Sequence, residues 1–185
     1  MKKILTLLLT VLVINANGQD TTKTKNLASE MDRLKVETVL IVNSQAIDEY
    51  PLWSPNSNSI ACNIQGKWYK FRLTNIELGD AQWRGQTIGV ISTKKAYSEL
   101  TDKEQKEFEA VSKFNAREVT TKDKTKIELR ANGMSISLIL TKDGGSEKIL
   151  WTSGGENCHS LILSPNEKYV AYLCELNGLL VMKIK

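Results

Sequence analysis

The sequence predicts an all-β protein with one inserted helix, folded as antiparallel meander sheets. A strand–turn–strand unit occurs twice, as Leu52-Trp-Ser-Pro-Asn-Ser-Asn-Ser-Ile-Ala-Cys-Asn-Ile64 and as Leu161-Ile-Leu-Ser-Pro-Asn-Glu-Lys-Tyr-Val-Ala-Tyr-Leu-Cys174. A glycine follows each copy, Gly66 and Gly178, where a two-residue hairpin turn needs positive φ before a third strand. Turn residues then recur at short spacing, and the β pattern breaks only between Ser98 and Asn115.

In chain order, the first segment reads as an address. Met1-Lys2-Lys3 is a positive start, Ile4 to Ile14 is an apolar run broken only by Thr6 and Thr10, and Ala16-Asn17-Gly18 offers small residues for cleavage. Residues 1–18 are therefore expected to be a signal peptide cut after Gly18, too short and wrongly flanked for a membrane span. The mature chain is expected in the periplasm or outside the cell. Residues 19–35 are a polar leader or short helix, and 36–185 are expected to form a single domain.

Val36 to Val42 follows as a β-branched run that reads as a buried strand. The first repeat comes next, then a strand over 86–92. Thr101-Asp-Lys-Glu104 has capping-box spacing, and Leu100, Glu104, Phe108, Val111 and Phe114 share one helical face, so a helix is predicted over about 98–115. Beyond it, Asn132-Gly133 and Asp143-Gly-Gly145 mark hairpins between strands 126–131, 134–141 and 146–151. Gly154-Gly155 opens into the second repeat.

A chain of 185 residues that is 41% hydrophobic can bury one real core. The formal net charge is +4, and it falls to +2 without Lys2 and Lys3. That balance is too weak and too evenly spread to select nucleic acid or an acidic membrane surface. The three cysteines are an odd number, so at least one stays free or pairs with another chain. Cys158 and Cys174 lie near the far ends of the strands flanking the second turn. They can bridge in one register, whereas a shift of one residue sends them to opposite faces. The alternative is three cysteines acting as small buried hydrophobes.

Groups for catalysis are scarce. His159 is the only histidine, which excludes histidine-rich metal sites and strains any triad. Its neighbour Cys158 sits next to it on a strand, where adjacent side chains point apart. Neither Asp143-Gly-Gly145 nor Ser153-Gly-Gly155 continues into a phosphate loop, and Asp102, Asp123 and Asp143 assemble no calcium loop. No metal or cofactor is expected. Aromatic and basic residues offer the binding candidates. Trp68 and Tyr69 are strand neighbours, so one of them points away from the nearest core face, and Gln82-Trp83-Arg84-Gly85 puts a Trp and an Arg in a loop.

The repeat Asp48-x-x-Pro-x-Trp-Ser-Pro-Asn-x-x-x-x-Ile-Ala61 resembles the Trp-Ser-Pro-Asp-Gly-x-x-Ile-Ala repeat of TolB-type β-propellers. Leu163-Ser-Pro-Asn-Glu-Lys-Tyr-Val-Ala171 is a copy without the Trp, and both replace the family's Asp-Gly turn. The resemblance implies a propeller-like fold of about three blades in an incomplete or atypical ring, with Trp53 in the core. One blade would use strands near 50–54, 59–65, 67–73 and 86–92. A second would use 117–120, 126–131, 134–141 and 146–151. The third would join 160–164, 169–175 and 179–184 to the strand at 36–42. The motif carries no catalytic residue.

Export, size and the absence of an assembled motif lead to one functional expectation. The chain reads as a secreted, non-enzymatic module that binds another envelope or secreted protein, as an inhibitor or immunity-type protein would. Homodimerisation is compatible with it. The alternative is a small glycan- or ligand-binding module using Trp83 or Trp68 as a stacking platform.

Overall fold

The computed structural model of the chain describes residues 26–42, 47, 50–74, 76–83, 86–91, 97–115, 117–155 and 157–185. In order, the elements are α1 (Leu27–Leu34), β1 (Thr38–Val42), β2 (Leu52–Trp53), β3 (Ser59–Ile64), β4 (Lys67–Arg72), β5 (Ile76–Trp83) and β6 (Gln86–Ile91). Then come β7 (Tyr97–Glu99), α2 (Asp102–Val111), β8 (Phe114–Asn115), β9 (Glu118–Thr120) and β10 (Lys126–Asn132). The last five are β11 (Ser135–Thr141), β12 (Glu147–Thr152), β13 (Cys158–Leu163), β14 (Tyr169–Cys174) and β15 (Gly178–Lys183). The predicted signal peptide lies outside the described residues.

The strands form three sheets, and each contains a four-stranded antiparallel run. These runs are β2-β3-β4-β7, β9-β10-β11-β12 and β13-β14-β15-β1. In the last, Thr38 pairs with Met182 and Val39 with Val181, so the strand nearest the N-terminus completes the sheet made by the C-terminus. That sheet grows to seven strands by adding β6 and β5 beyond β1, and β8 beside β13.

Both repeats fold alike, hydrogen bond for hydrogen bond. Ser54 Oγ accepts from Ser59 N–H at 2.9 Å and donates to Asn56 Oδ1 at 2.8 Å, which also accepts from Asn58 N–H at 3.1 Å. Ser164 Oγ accepts from Tyr169 N–H at 3.0 Å and donates to Asn166 Oδ1 at 2.7 Å, which accepts from Lys168 N–H at 3.1 Å. The fourth residue of each turn is left-handed, Ser57 at φ 59° and Glu167 at φ 56°. Such side-chain bonds to the local backbone are what make Ser and Asn turn formers.

A third, divergent copy joins β9 to β10. Thr121 Oγ1 accepts from Thr125 N–H at 3.0 Å and donates to Asp123 Oδ1, and Lys124 is left-handed at φ 63°. Thr and Asp replace Ser and Asn, and the loop is one residue shorter. The three turns also touch in succession. Asn166 N–H donates to Ser57 Oγ at 3.1 Å, and Lys122 N–H donates to Glu167 Oε2 at 3.1 Å. In both ties the side chain of the left-handed residue accepts from a neighbouring turn's backbone.

The seven-stranded sheet lies between the other two. Trp53, Ile60, Cys62 and Phe71 of the first sheet share a core with Tyr169, Ala171, Leu173 and Val181. Ile127, Leu129, Leu138 and Trp151 of the β9–β12 sheet share a second core with Val170, Tyr172, Cys174 and Leu180. Strand β14 is buried at all six positions, its alternate residues serving opposite neighbours, as a strand packed on both faces must. A third cluster, Leu52, Ala61 and Phe108 with Trp68 and Leu100, seats α2 on the free face of the first sheet.

Four expectations need correction. The strand at 86–91 does not complete the first sheet. It runs parallel to β1, and β7 takes its place. The meander is thus not wholly antiparallel. Gly89, opposite Val39 in that pairing, leaves room for the side chains of Ile76 on β5 and of Val36, since a Cβ there would stand 2.5 Å from Ile76 Cγ2 and 3.2 Å from Val36 Cγ2. The inserted helix is shorter than 98–115. Thr101 and Glu104 complete the capping box, but Ser112 is already extended and Phe114 belongs to a strand. Residues 26–35 are not a detached leader, since α1 buries Leu27 and Met31, one turn apart, in the first core and draws the domain boundary back before Val36. Last, Trp83 ends β5 opposite Gln86 instead of lying in a loop.

Candidate binding cleft

The sequence-selected aromatics do not form one contact patch. Trp68 and Tyr69 are both half-buried and point to opposite faces of the first sheet. Trp68 packs toward α2 with Leu52 and Phe108, while Tyr69 packs against the main core and meets Tyr97 edge-on at 5.6 Å. Period-two alternation forces that division, so their main use is packing. Arg84 lies outside the described residues, and of Trp83 only the backbone is described. Trp53 is fully buried and stacks on Tyr169 at 6.3 Å.

Cys158 and Cys174 face each other directly across β13 and β14 and are joined as a disulfide. Cys62 is free and fully buried, and burial drives its thiol well above the usual range. It is therefore not presented to another chain. His159 is exposed, with Nδ1 2.7 Å from Ser160 Oγ, and its sequence neighbour Cys158 is spent in the disulfide. Among the described residues no group of three His, Cys, Asp or Glu side chains is placed to hold a metal. No helix among them is long and apolar enough to cross a membrane.

A site that sequence reasoning missed lies where α2, β8, β9 and the second Ser-Pro-Asn turn converge. Val111, Lys113, Phe114, Glu118, Thr120 and Leu163 line a cleft of about 470 Å³, and Pro165 and Glu167 form its far side. Three features build it. Helix α2 stops at Val111, because Ser112 turns its side chain to accept from Trp53 N–H at 2.7 Å. The chain then runs along β13 as β8, pairing Phe114 with Ile162, and β9 follows in the neighbouring sheet. Phe114, freed from the helical stripe, is 47% exposed and stacks on the 39% exposed Tyr50 with ring centroids 4.5 Å apart. Phe114 thus brings exposed aromatic surface to the cleft, backed by the ring of Tyr50.

The charges around the cleft are mostly compensated. Lys126 Nζ pairs with Glu118 at 2.8 Å, and Lys122 Nζ lies 3.8 Å from Glu167. Lys113 is exposed and has no ion pair among the described residues. On the adjoining turn, Asp123 is held well below the usual carboxylate range, first by the Thr121 hydroxyl and then by Lys185. An ammonium without an ion pair among the described residues, an exposed aromatic ring and compensated carboxylates around a concave surface are features suited to recognition.

No protein family, curated protein or solved structure matches this chain.

Proposed function

We propose that the chain is an exported, non-enzymatic binding protein of propeller-like, TolB-type repeat architecture, which seats part of another envelope or secreted protein in the cleft beside Phe114. An inhibitor or immunity-type factor is the form that fits its size. The cleft carries the reading, because it joins exposed aromatic surface to a cation that has no ion pair among the described residues, in a concave setting. Support for the repeat architecture comes from the three matching turns and from the four-stranded runs they open.

A pull-down from envelope extract with the chain as bait tests this, run beside a Phe114→Ser variant. One stoichiometric protein, retained by the parent and lost from a variant with an unchanged melting temperature, is the expected result. Equal retention by both moves the binding face elsewhere. A glycan reading has one observation in its favour, since an exposed ring on a concave polar cleft is also how sugars are stacked. An oligosaccharide array bound by the parent and not by Phe114→Ser would replace the protein reading with that one.

A further inference from the structure

One wall of the cleft is a free sheet edge, and its backbone groups can be assigned rung by rung. Leu129 N–H donates to Arg117 O at 2.8 Å, and Thr121 N–H donates to Thr125 O at 3.0 Å. Val119 lies between them in the same register, opposite Ile127. Antiparallel pairing gives alternate residues to the partner strand, so Arg117, Val119 and Thr121 turn their backbone groups to β10. Glu118 and Thr120 turn theirs off the opposite edge. Among the described residues nothing takes up the main-chain N–H or C=O of Glu118 or Thr120, and both residues line the cleft.

The adjoining sheet shows how this molecule treats such an edge. There β8 lies antiparallel along β13, with Leu161 opposite Asn115 and Ile162 opposite Phe114. The chain thus closes one of the two edges at the cleft with a two-residue strand of its own and leaves β9 open. The open rungs are two residues apart, about 7 Å, which an extended segment of four or five residues spans. With Glu118 held by Lys126 and Glu167 by Lys122, the charge left to attract a ligand is Lys113.

We infer that the partner docks by strand addition. An extended segment of another protein pairs with the free edge of β9, directs a carboxylate to Lys113, and lays an apolar side chain against Phe114 and Leu163. The main chain supplies affinity and the side chains supply selection, as in other edge-strand complexes. This inference rests on the cleft being the protein-binding site, and it adds the conformation and charge of what binds.

The test is a display library of random octapeptides panned against the full chain, expressed with its own leader, followed by affinity measurement on the selected peptides. Selected sequences should be enriched in Asp and Glu. Thr120→Pro removes an N–H that no bond among the described residues uses, at an edge position where proline is tolerated. It should weaken binding about tenfold, as the loss of one well-made hydrogen bond would, with the melting temperature held. Methylating the peptide's amides one at a time should weaken binding at every second position. Lys113→Glu should weaken binding and shift the selected pool away from acidic residues. Binding that is lost with Phe114→Ser yet indifferent to Thr120→Pro and to methylation would overturn strand addition and leave the cleft reading standing. A library that yields no binder would overturn strand addition too, and the envelope pull-down then decides whether the cleft reading falls with it.

Discussion

Three cysteines in buried strands meet two different outcomes of register. Cys158 and Cys174 fall directly opposite each other because β13 and β14 pair from Cys158↔Cys174 at one end to Leu163↔Val170 beside the turn. One extra residue in β13 is absorbed at a bulge between His159 and Ile162, where Ser160 and Leu161 stand against Tyr172 and Ser160 is left-handed at φ 58°. Cys62 lies opposite Tyr69 and has no thiol within its sheet. Native protein should therefore expose no thiol to an aromatic disulfide reagent, one after unfolding in urea, and three after reduction and unfolding. A thiol that reacts in the native state would mean the bridge is open or Cys62 is reachable. The bridge closes a loop between residues 16 apart, so reduction should cost about 3 kcal/mol in urea titrations.

At the scale of elements, α2 is held at its start more firmly than at its end. Thr101 and Glu104 exchange capping bonds, and Glu104 also takes a hydrogen bond from Lys70 on the sheet beneath. The Lys70 ammonium first, and the Thr101 N–H after it, lower the Glu104 carboxyl from 4.5 to about 2. A carboxyl depressed by folding stabilises the native state fully above its unfolded pKa, and that contribution is lost as pH falls from 4.5 toward 2. Urea midpoints measured across that window should fall less steeply for Lys70→Met than for the parent. Parallel slopes would show that the pair contributes nothing to acid stability. The last turn carries no basic residue, and the chain leaves the helix at Ser112 in extended conformation. That early exit turns Phe114 from a helical stripe residue into an exposed cleft residue.

The whole molecule depends on one long-range pairing. Strand β1 joins β15 on one side and β6 on the other, so the segment nearest the N-terminus holds the C-terminal strand and the β5–β6 hairpin in a single sheet. Val39 and Ile41 enter the first core with Trp53 and Tyr169. A chain starting at Pro51 would leave β15 an open edge and remove those apolar side chains, at roughly 2 kcal/mol each. It should lose its cooperative urea transition, while a chain starting at Asn26 keeps it. Cooperative unfolding of the shorter chain would show that the sheet does not need its terminal strand.

Local chemistry was enough for much of this. Ser-Pro-Asn turns, Gly66 and Gly178, the capping box and the alternating strands depend on residues a few positions apart, so the all-β class, the hairpins and the start of α2 were legible in the sequence. The seating of 38–42 beside the last strand was legible too, because a meander one strand short asks for a partner. Other features depend on distances between segments far apart in the chain. Gly89 gives up its side-chain space to Ile76 and Val36, residues 13 and 53 positions earlier in the chain, which no local pattern encodes. The Thr-Lys-Asp turn keeps the bonds of the repeat while losing its letters, since Thr and Asp supply the same oxygens as Ser and Asn. The cleft belongs to the same group: it is made by the end of one helix, the edges of two sheets and a turn some fifty residues later in the chain. Residue types and short spacings determined the elements, because hydrogen bonds within a turn are local. The assembly of three sheets and the open edge of β9 were decided in tertiary structure, where steric fit between distant segments selects one pairing among many that the same strands allow.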